Sequence, residues 1–267
     1  MRDEQIAVEL RGDLVDPALL GGKGASLDRL VGLELLVPPS GVVTTTAYRR
    51  FVAESSLERL TADIRGGADP SVAEVDAAFL AVEPPEEMAR AAVDLARRVG
   101  GGAHLAVRSS ATVEDLAESS FAGQYRSLLD VDPADEHAVI DGVRLVFASL
   151  WHPAPCAYRR AMGVPDDAAA MAVVLMRMIP ATRAGVVFTV DPGGVPGAAR
   201  IEAVDGLGES LVSGDRTPDA WVTDRARPGD DVPAEARAAL AAALAVESDS
   251  GVGQDVEWAW HEDRLWV

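Results

Sequence analysis

The sequence is poor in several features, and each shortage excludes something. Cys156 is the only cysteine among 267 residues, so no disulfide can form within the chain. No apolar run is long enough to cross a membrane, since the most apolar stretch, AAAMAVVLMRMIP, is short and contains Arg177. The N-terminal segment MRDEQIAVEL lacks the apolar core of a signal peptide. Together these shortages predict a cytoplasmic protein.

Positive charge is also scarce. The chain has 24 basic and 43 acidic residues, and its formal net charge is −19. Such a surface repels nucleic acid and anionic membranes, so we expect neither as a partner. A local cluster of arginines and backbone N–H groups can still bind phosphate in an acidic protein. Among the basic residues Lys23 is the single lysine, and all the others are arginines.

Hydrophobic patterning predicts a mixture of strands and helices. We expect a strand at Ile6–Leu10, a glycine-rich turn and a helix from about Ala25, then helical spacing over 54–98. Later strands are predicted in AMAVVLMRMI, AGVVFTVDP, RIEAVDGLG and DAWVTDR. Several of them are expected to be antiparallel, which indicates an α+β fold with two lobes. We place the first lobe at 1–190, including a helical insertion at about 54–98, and the second at 191–267.

The stretch GGKGASL combines small residues with the single lysine. Gly21, Gly22 and Gly24 would let backbone N–H groups approach a ligand, and a helix is expected to begin just afterwards. Glycines, an ammonium group and a helix N-terminus together form an anion site. The spacing is not that of a Walker P-loop. A tight phosphate pocket is one place where the planar fork of an arginine fits less well than Lys23. An exposed turn is the alternative.

The stretch VRSSATVEDLAESSFAGQYRSLL ends a predicted strand at Arg108 and continues into a turn rich in hydroxyl side chains. Arg108 can bind phosphate oxygens in a bidentate manner. Gly123 lies in the following loop, whose composition is typical of loops that cover nucleotide phosphates. The alternative is a capped turn, because Thr112 and Asp115 have the spacing of a capping box. The two interpretations are compatible.

Acidic residues mark two further segments. Asp255 and Glu257 in QDVEWAW are two apart on a predicted strand, so they share a face and could hold Mg²⁺. A solvated strand face is the alternative. Glu209 lies in the glycine-containing segment VDGLGESLVSGDRTPD, which indicates a loop near a ligand. The four histidines have no metal-ligand spacing. Cys156 is expected to be a small core or surface residue rather than a nucleophile.

Taken in order, these motifs resemble the nucleotide-binding domain of the phosphoenolpyruvate synthase and pyruvate phosphate dikinase family, which rifampicin phosphotransferase shares. The most specific motif is VRSSATVEDLAESSFAGQ, supported by GGKGASL, VPPSGVVTTTAYRRF, AGVVFTVDP, GLGESLVSGDRTPD and QDVEWA. The resemblance implies an ATP-grasp-like fold in which two lobes enclose ATP. It implies phosphate contacts for Lys23 and Arg108, a phosphate-covering loop at Gly123 and Ser127, and Mg²⁺ at Asp255 and Glu257. The segment VLMRMI, with Met176 and Met178, would meet the adenine.

The resemblance also implies an activity and a partner. In the family, ATP is cleaved and a phosphoryl group passes to a histidine on a separate swivelling domain, then to pyruvate or an antibiotic hydroxyl. Met176 stands where the family usually has glutamine. The family pattern continues beyond DRLWV with Leu-Gln-x-Arg-Pro, and no phosphohistidine or phosphoenolpyruvate-binding domain is present in this sequence. We therefore expect a phosphotransferase that is incomplete on its own. The alternatives are an ATP-grasp enzyme of secondary metabolism that activates a carboxylate or hydroxyl, and a non-catalytic nucleotide-binding or interaction module.

Overall fold

A computed structural model describes residues 5–113, 125–208 and 217–267. Within these ranges the strands are β1 (Ala7–Glu9), β2 (Ser40–Val43), β3 (Leu105–Ala111), β4 (Ser127–Val131), β5 (Met171–Arg177), β6 (Arg183–Phe188), β7 (Ala198–Asp205), β8 (Asp219–Asp224), β9 (Asp255–His261) and β10 (Arg264–Trp266). The helices are α1 (Pro17–Gly32), α2 (Thr45–Ala53), α3 (Leu57–Arg65), α4 (Val72–Leu80), α5 (Glu86–Gly100), α6 (Glu136–Ser149), α7 (Pro153–Ala161) and α8 (Ala234–Ser250). The predicted α+β class is confirmed.

Contacts divide the chain into two compact units. Unit one comprises the described residues up to Arg29 together with Pro39–Met178, and unit two comprises Leu30–Pro38 and the described part of Ile179–Val267. The division falls after Met178, whereas the sequence placed it after residue 190. The reason is that β6 pairs with β7 and β9, which belong to unit two.

Unit one is built on an antiparallel sheet of order β1-β2-β5-β3-β4. Helices α2 to α7 lie on one face, where the largest apolar core forms. Helix α1 covers the other face through Leu20, which packs with Val42 and Val174. Because β5 is central and covered on both faces, its sequence MAVVL reads as a continuous apolar run.

Unit two is built on a second antiparallel sheet, of order β10-β9-β6-β7-β8. Helix α8 packs on one face, and its alanines allow close approach to Ile201, Val256 and Trp258. The alternation of buried and exposed residues along β9 follows from this one-sided packing.

The predicted start of the first helix was wrong. Helix α1 begins at Pro17, not near Ala25, and is interrupted at Gly21, which has φ 69° and ψ 178°. Sequence rules read consecutive glycines as a turn because glycine has a low helix propensity. Here the first turn is supported by Asp16, whose side chain accepts a hydrogen bond from the N–H of Ala18 at 2.9 Å. In the described part of the chain no helix has the length and apolar character needed to span a bilayer.

Candidate functional site

Gly21 breaks α1 at the centre of the GGKGASL motif. A Cβ atom on this residue would lie 2.0 Å from the carbonyl oxygen of Ser110, so only glycine allows this contact. The positive φ separates two helical segments, and Lys23 falls in the first turn of the second one. A cation in the first turn of a helix, where N–H groups are not all used within the helix, is suited to an anionic ligand.

Ser110 of β3 fastens this motif to the sheet. Its hydroxyl oxygen accepts a hydrogen bond from the N–H of Gly24 at 2.9 Å and donates to the carbonyl of Leu20 at 2.7 Å. Ser110 is fully buried. Ser110 therefore uses the N–H of Gly24, which leaves this one group unavailable to a ligand. Gly21 and Gly24 instead permit close packing of α1 on β3, which positions the helix that carries Lys23.

Arg108 lies on the α1 face of the same strand. Residues Leu105, Val107 and Ala111 of β3 enter the core beneath α2 to α7, so the alternating residues Arg108 and Ser110 face the side of α1. Arg108 is half-buried. The backbone thus brings the helix of Lys23 and the guanidinium-bearing residue to one face of one sheet.

Two other predicted residues belong to this face. Ser127, the first residue of β4, is directly opposite Arg108 and therefore shares its face. Met176 of β5 is opposite Ala106, and it packs partly against the small apolar cluster under α1. Unit one consequently gathers Lys23, Arg108, Ser127 and Met176 from segments that are far apart in sequence.

The segment predicted to meet the base has some of its backbone already engaged. The N–H of Arg177 donates to the carbonyl of Pro39 at 2.9 Å, and the N–H of Met178 donates to the carbonyl of His104 at 2.9 Å. The sulfur of Met178 accepts from the N–H of Asp130 at 3.1 Å. A base that binds along this segment would have to use backbone groups other than these two N–H groups.

In unit two, Asp255 and Glu257 both lie on the face of β9 opposite to α8, and both are exposed. Burial of the Asp255 carboxyl by its surroundings raises its pKa, although part of the side chain remains in solvent. Their carboxylate oxygens suit Mg²⁺, and phosphate oxygens and water would complete the coordination. Among the described residues, no three acidic, histidine or cysteine side chains gather as a metal cluster. Among the described residues, the two carboxylates are thus an incomplete ligand set for Mg²⁺.

Sequence reasoning missed Arg200 and Glu202 of β7, which lie on the same face of the sheet as Asp255 and Glu257. Val186 of β6 pairs with both Glu257 and Glu202, and Phe188 pairs with both Asp255 and Arg200. The guanidinium of Arg200 donates to the carboxylate of Glu202 at 2.6 Å. The alternation of charged and apolar residues in RIEA is the signal that could have identified them.

Gly123, Glu209 and Asp115 lie outside the described residues. Thr112, the other half of the predicted capping box, is described: its hydroxyl oxygen accepts from the N–H of Ala170 at 3.1 Å. This bond ties the end of β3 to the segment before β5.

Comparison with known proteins identifies the family. Residues 17–251 match the family described as pyruvate phosphate dikinase, AMP/ATP-binding domain. The chain belongs to this family. This AMP/ATP-binding domain is 37% identical over 232 residues to phosphoenolpyruvate synthase of Aeropyrum pernix. The aligned region covers 81% of the chain and 28% of that protein.

Two other relatives carry different names. The domain is 38% identical over 215 residues to rifampicin phosphotransferase of Streptomyces sviceus, covering 76% of the chain and 24% of that protein. It is 39% identical over 225 residues to the prodigiosin synthesizing transferase PigC of Serratia marcescens, covering 83% of the chain and 24% of that protein. The AMP/ATP-binding domain thus spans about a quarter of the length of these relatives.

Proposed function

We propose that this domain binds Mg-ATP and initiates transfer of a phosphoryl group to a histidine carried by another domain or another polypeptide. The observation that carries the proposal is the common face of unit one, where α1 with Lys23 is fastened by Ser110 beside Arg108 and Ser127. Membership of an AMP/ATP-binding family supports ATP as the ligand and an ATP-grasp-like mode of binding. A cytoplasmic location, where ATP is abundant, agrees with this role.

The proposed chemistry needs positioning and charge neutralisation more than a nucleophile from this domain. A phosphorus–oxygen bond of ATP breaks, and its electron pair leaves on the oxygen of the departing nucleotide product. A phosphorus–nitrogen bond to the imidazole forms, and the imidazole proton passes to solvent. Lys23 would bind the phosphates as a point charge, and Arg108 would bind two phosphate oxygens with its planar fork. Both cations would stabilise negative charge that develops on the transferred group.

The acidic pair of unit two would supply ligands for the magnesium ion of Mg-ATP. Asp255 and Glu257 would hold Mg²⁺, which neutralises phosphate charge when bound. In the family resemblance Gly123 and Ser127 belong to the loop over the phosphates, although Ser127 is here the first residue of β4. Met176 and Met178 belong to the base-binding segment, and Glu209 to a loop near the ligand. We propose these roles for the residues of this chain.

The final acceptor is not specified by these residues. The relatives are named for phosphoenolpyruvate synthesis and for rifampicin phosphotransfer, so pyruvate and an antibiotic-like hydroxyl are both chemically consistent acceptors. The similarity to a prodigiosin synthesizing transferase supports a second proposal: ATP-dependent activation of a carboxylate or hydroxyl in secondary metabolism.

Calorimetric titration with Mg-ATP tests the binding part. We expect Lys23→Ala and Arg108→Ala to weaken ATP binding by about tenfold to a hundredfold, as removal of a charge-assisted hydrogen bond predicts. Arg59→Ala, on the exposed side of α3, is the control and should bind normally. Absence of Mg-ATP binding by the unaltered protein would instead favour a non-catalytic module.

The transfer part needs an acceptor. Labelled ATP is incubated with this protein and with the phosphohistidine domain of a phosphoenolpyruvate synthase, supplied as a separate protein. Acid-labile label on the acceptor supports histidine transfer. Label that appears only on an added carboxylate or hydroxyl substrate would favour the second proposal.

A further inference from the structure

We propose that Asp76, on helix α4, is a positioning residue for the phosphate site of unit one. Its ion pair with Arg126 holds the beginning of β4, and β4 in turn sets Ser127 beside Arg108. This inference rests on the proposed function, because it assumes that Arg108 and Ser127 serve the phosphates of a nucleotide.

Asp76 uses both of its carboxylate oxygens. Oδ2 lies 2.8 Å from Nη2 of Arg126, and Oδ1 lies 2.8 Å from Nε2 of His152. The three side chains are only 17%, 26% and 10% exposed, respectively. Since a carboxylate only accepts, Nε2 of His152 is the donor. The imidazole therefore orients the carboxylate so that its other oxygen faces Arg126.

In the described part of the chain, strand β4 has backbone pairing on one side only, so side-chain contacts help to hold it. It is the edge strand of its sheet and, among the described strands, pairs with β3 alone. The pairing has an irregular register between Leu105 and Val107, and most of the strand is exposed. Asp130 within it has a positive φ of 63°. An edge strand with an irregular register has only one neighbouring strand to set that register, so the Arg126–Asp76 ion pair adds to its definition.

The anchor itself is rigidly supported. Helix α4 begins with a complete capping box between Ser71 and Glu74, and its Val75 and Phe79 are fully buried. His152 follows Trp151, whose indole N–H donates to the hydroxyl of Tyr48 at 2.7 Å inside the core. Asp76 is thus positioned for its ion pair with Arg126 by the packing of α4 and by the hydrogen bond from His152.

The effect of the ion pair crosses the sheet. Leu128 is opposite Val107 and packs against the core under the helices, so Arg126 lies on that same face and Ser127 on the other. Fixing Arg126 on the helical face therefore fixes the backbone that presents Ser127 opposite Arg108. Within unit one, the ion pair therefore links Asp76 of α4 to the position of Ser127 on the opposite face of the sheet.

The test compares Asp76→Asn with Asp141→Asn. Asp141 of α6 pairs with Arg144, whose guanidinium also donates to the carbonyls of Leu80, the last residue of α4, and of Val82. The control therefore removes an ion pair next to α4 that does not include a residue of β4. We expect Asp76→Asn to accelerate hydrogen exchange of the β4 amides by about tenfold without nucleotide, and to weaken ATP binding by about tenfold. Asp141→Asn should change neither.

A mutant cycle adds a readout that a general loss of stability would not reproduce. Asp76→Asn and Arg126→Gln should each weaken ATP binding, and the double variant should be no worse than either single one, because all three lack the same pair. Arg126→Lys keeps the charge and should retain an affinity within about threefold of the unaltered protein.

The outcomes distinguish a failure of the positioning role of Asp76 from a failure of the proposed ATP-binding function. If the unaltered protein binds ATP and Asp76→Asn binds it equally well, Asp76 is not a positioning residue and the inference fails alone. Unchanged exchange in β4 would overturn it as well. If the unaltered protein binds no ATP, the proposed function fails, and any faster exchange in Asp76→Asn would then report a purely structural anchor, which also overturns the inference.

Discussion

The hydroxyl of Ser110 joins two elements that carry predicted phosphate contacts, because it accepts the N–H of Gly24 at 2.9 Å across a sequence separation of 86 residues. The same hydroxyl donates to the carbonyl of Leu20 at 2.7 Å. Ser110→Ala leaves the N–H of Gly24 buried without its acceptor. We expect a loss of about 1–3 kcal/mol in the free energy of unfolding, measured by urea denaturation. Ser26→Ala, on the exposed side of α1, should change it by less than about 0.5 kcal/mol.

Gly21→Ala should be more damaging than an ordinary glycine substitution at positive φ. The new Cβ atom would collide with the carbonyl of Ser110, in addition to the strain at φ 69°. Gly67 is the matched control, since it has φ 105° but open space where a Cβ atom would lie. We expect Gly67→Ala to cost about 1 kcal/mol and Gly21→Ala at least about 3 kcal/mol, or to abolish folding. Equal losses would show that α1 can move away from β3.

Lys23→Arg tests whether the single lysine is required by its site. The variant keeps the positive charge but replaces a compact ammonium with a planar fork. We expect ATP affinity in calorimetry to fall by about tenfold. Arg59→Lys, on exposed α3, should leave it unchanged. Normal affinity and turnover in Lys23→Arg would mean that the lone lysine is an accident of composition.

Asp255→Asn should affect stability and ligand binding in opposite directions. Because the folded protein raises the pKa of Asp255 through burial, the protonated form is favoured by folding. That contribution is present below the unfolded pKa and is lost as pH rises through the folded pKa, so the ionised carboxylate is unfavourable near pH 7. Without nucleotide, we expect Asp255→Asn to raise the melting temperature by about 1 °C near pH 7, with no gain near pH 3.

Ligand binding should respond to Asp255→Asn in the opposite direction from stability. Loss of one carboxylate should weaken Mg-dependent ATP binding, because Mg²⁺ would keep fewer oxygen ligands. Asp230→Asn, in an exposed loop, serves as the control for both measurements. A lower melting temperature in Asp255→Asn near pH 7 would contradict the assigned effect of burial.

Cys156 should behave as an inert core residue; its sequence context predicts a small core or surface residue rather than a nucleophile. Its side chain is buried, and Sγ lies 3.3 Å from Nη2 of Arg159. Burial raises the pKa of the thiol, and Arg159 offsets this only in part. We expect a disulfide reagent to modify Cys156 at least about a hundredfold more slowly in the folded protein than after urea denaturation. Equal rates would show that the α7 region opens readily.

The sequence by itself determined the class of fold and the family. Periodicity predicted most strands and the helices of 54–98. The spacing of apolar residues distinguishes a helix from a strand, and it also shows whether a strand is buried on one face or on both. The order of GGKGASL, VRSSATVEDL and QDVEWA identified the relatives. The spacing of Asp255 and Glu257 also predicted a common strand face, which β9 has.

Tertiary structure alone decided which partners these residues meet. The sequence could not predict that Gly21 and Gly24 are required by Ser110, nor that α1 begins at Pro17. Nothing in it connects Asp76 with Arg126, or Glu202 with the face of Glu257. Each of these relationships depends on strand register or on contacts between residues far apart in the chain, which local propensity does not encode. A Cβ position 2.0 Å from the Ser110 carbonyl exists only once the helix has packed on the sheet.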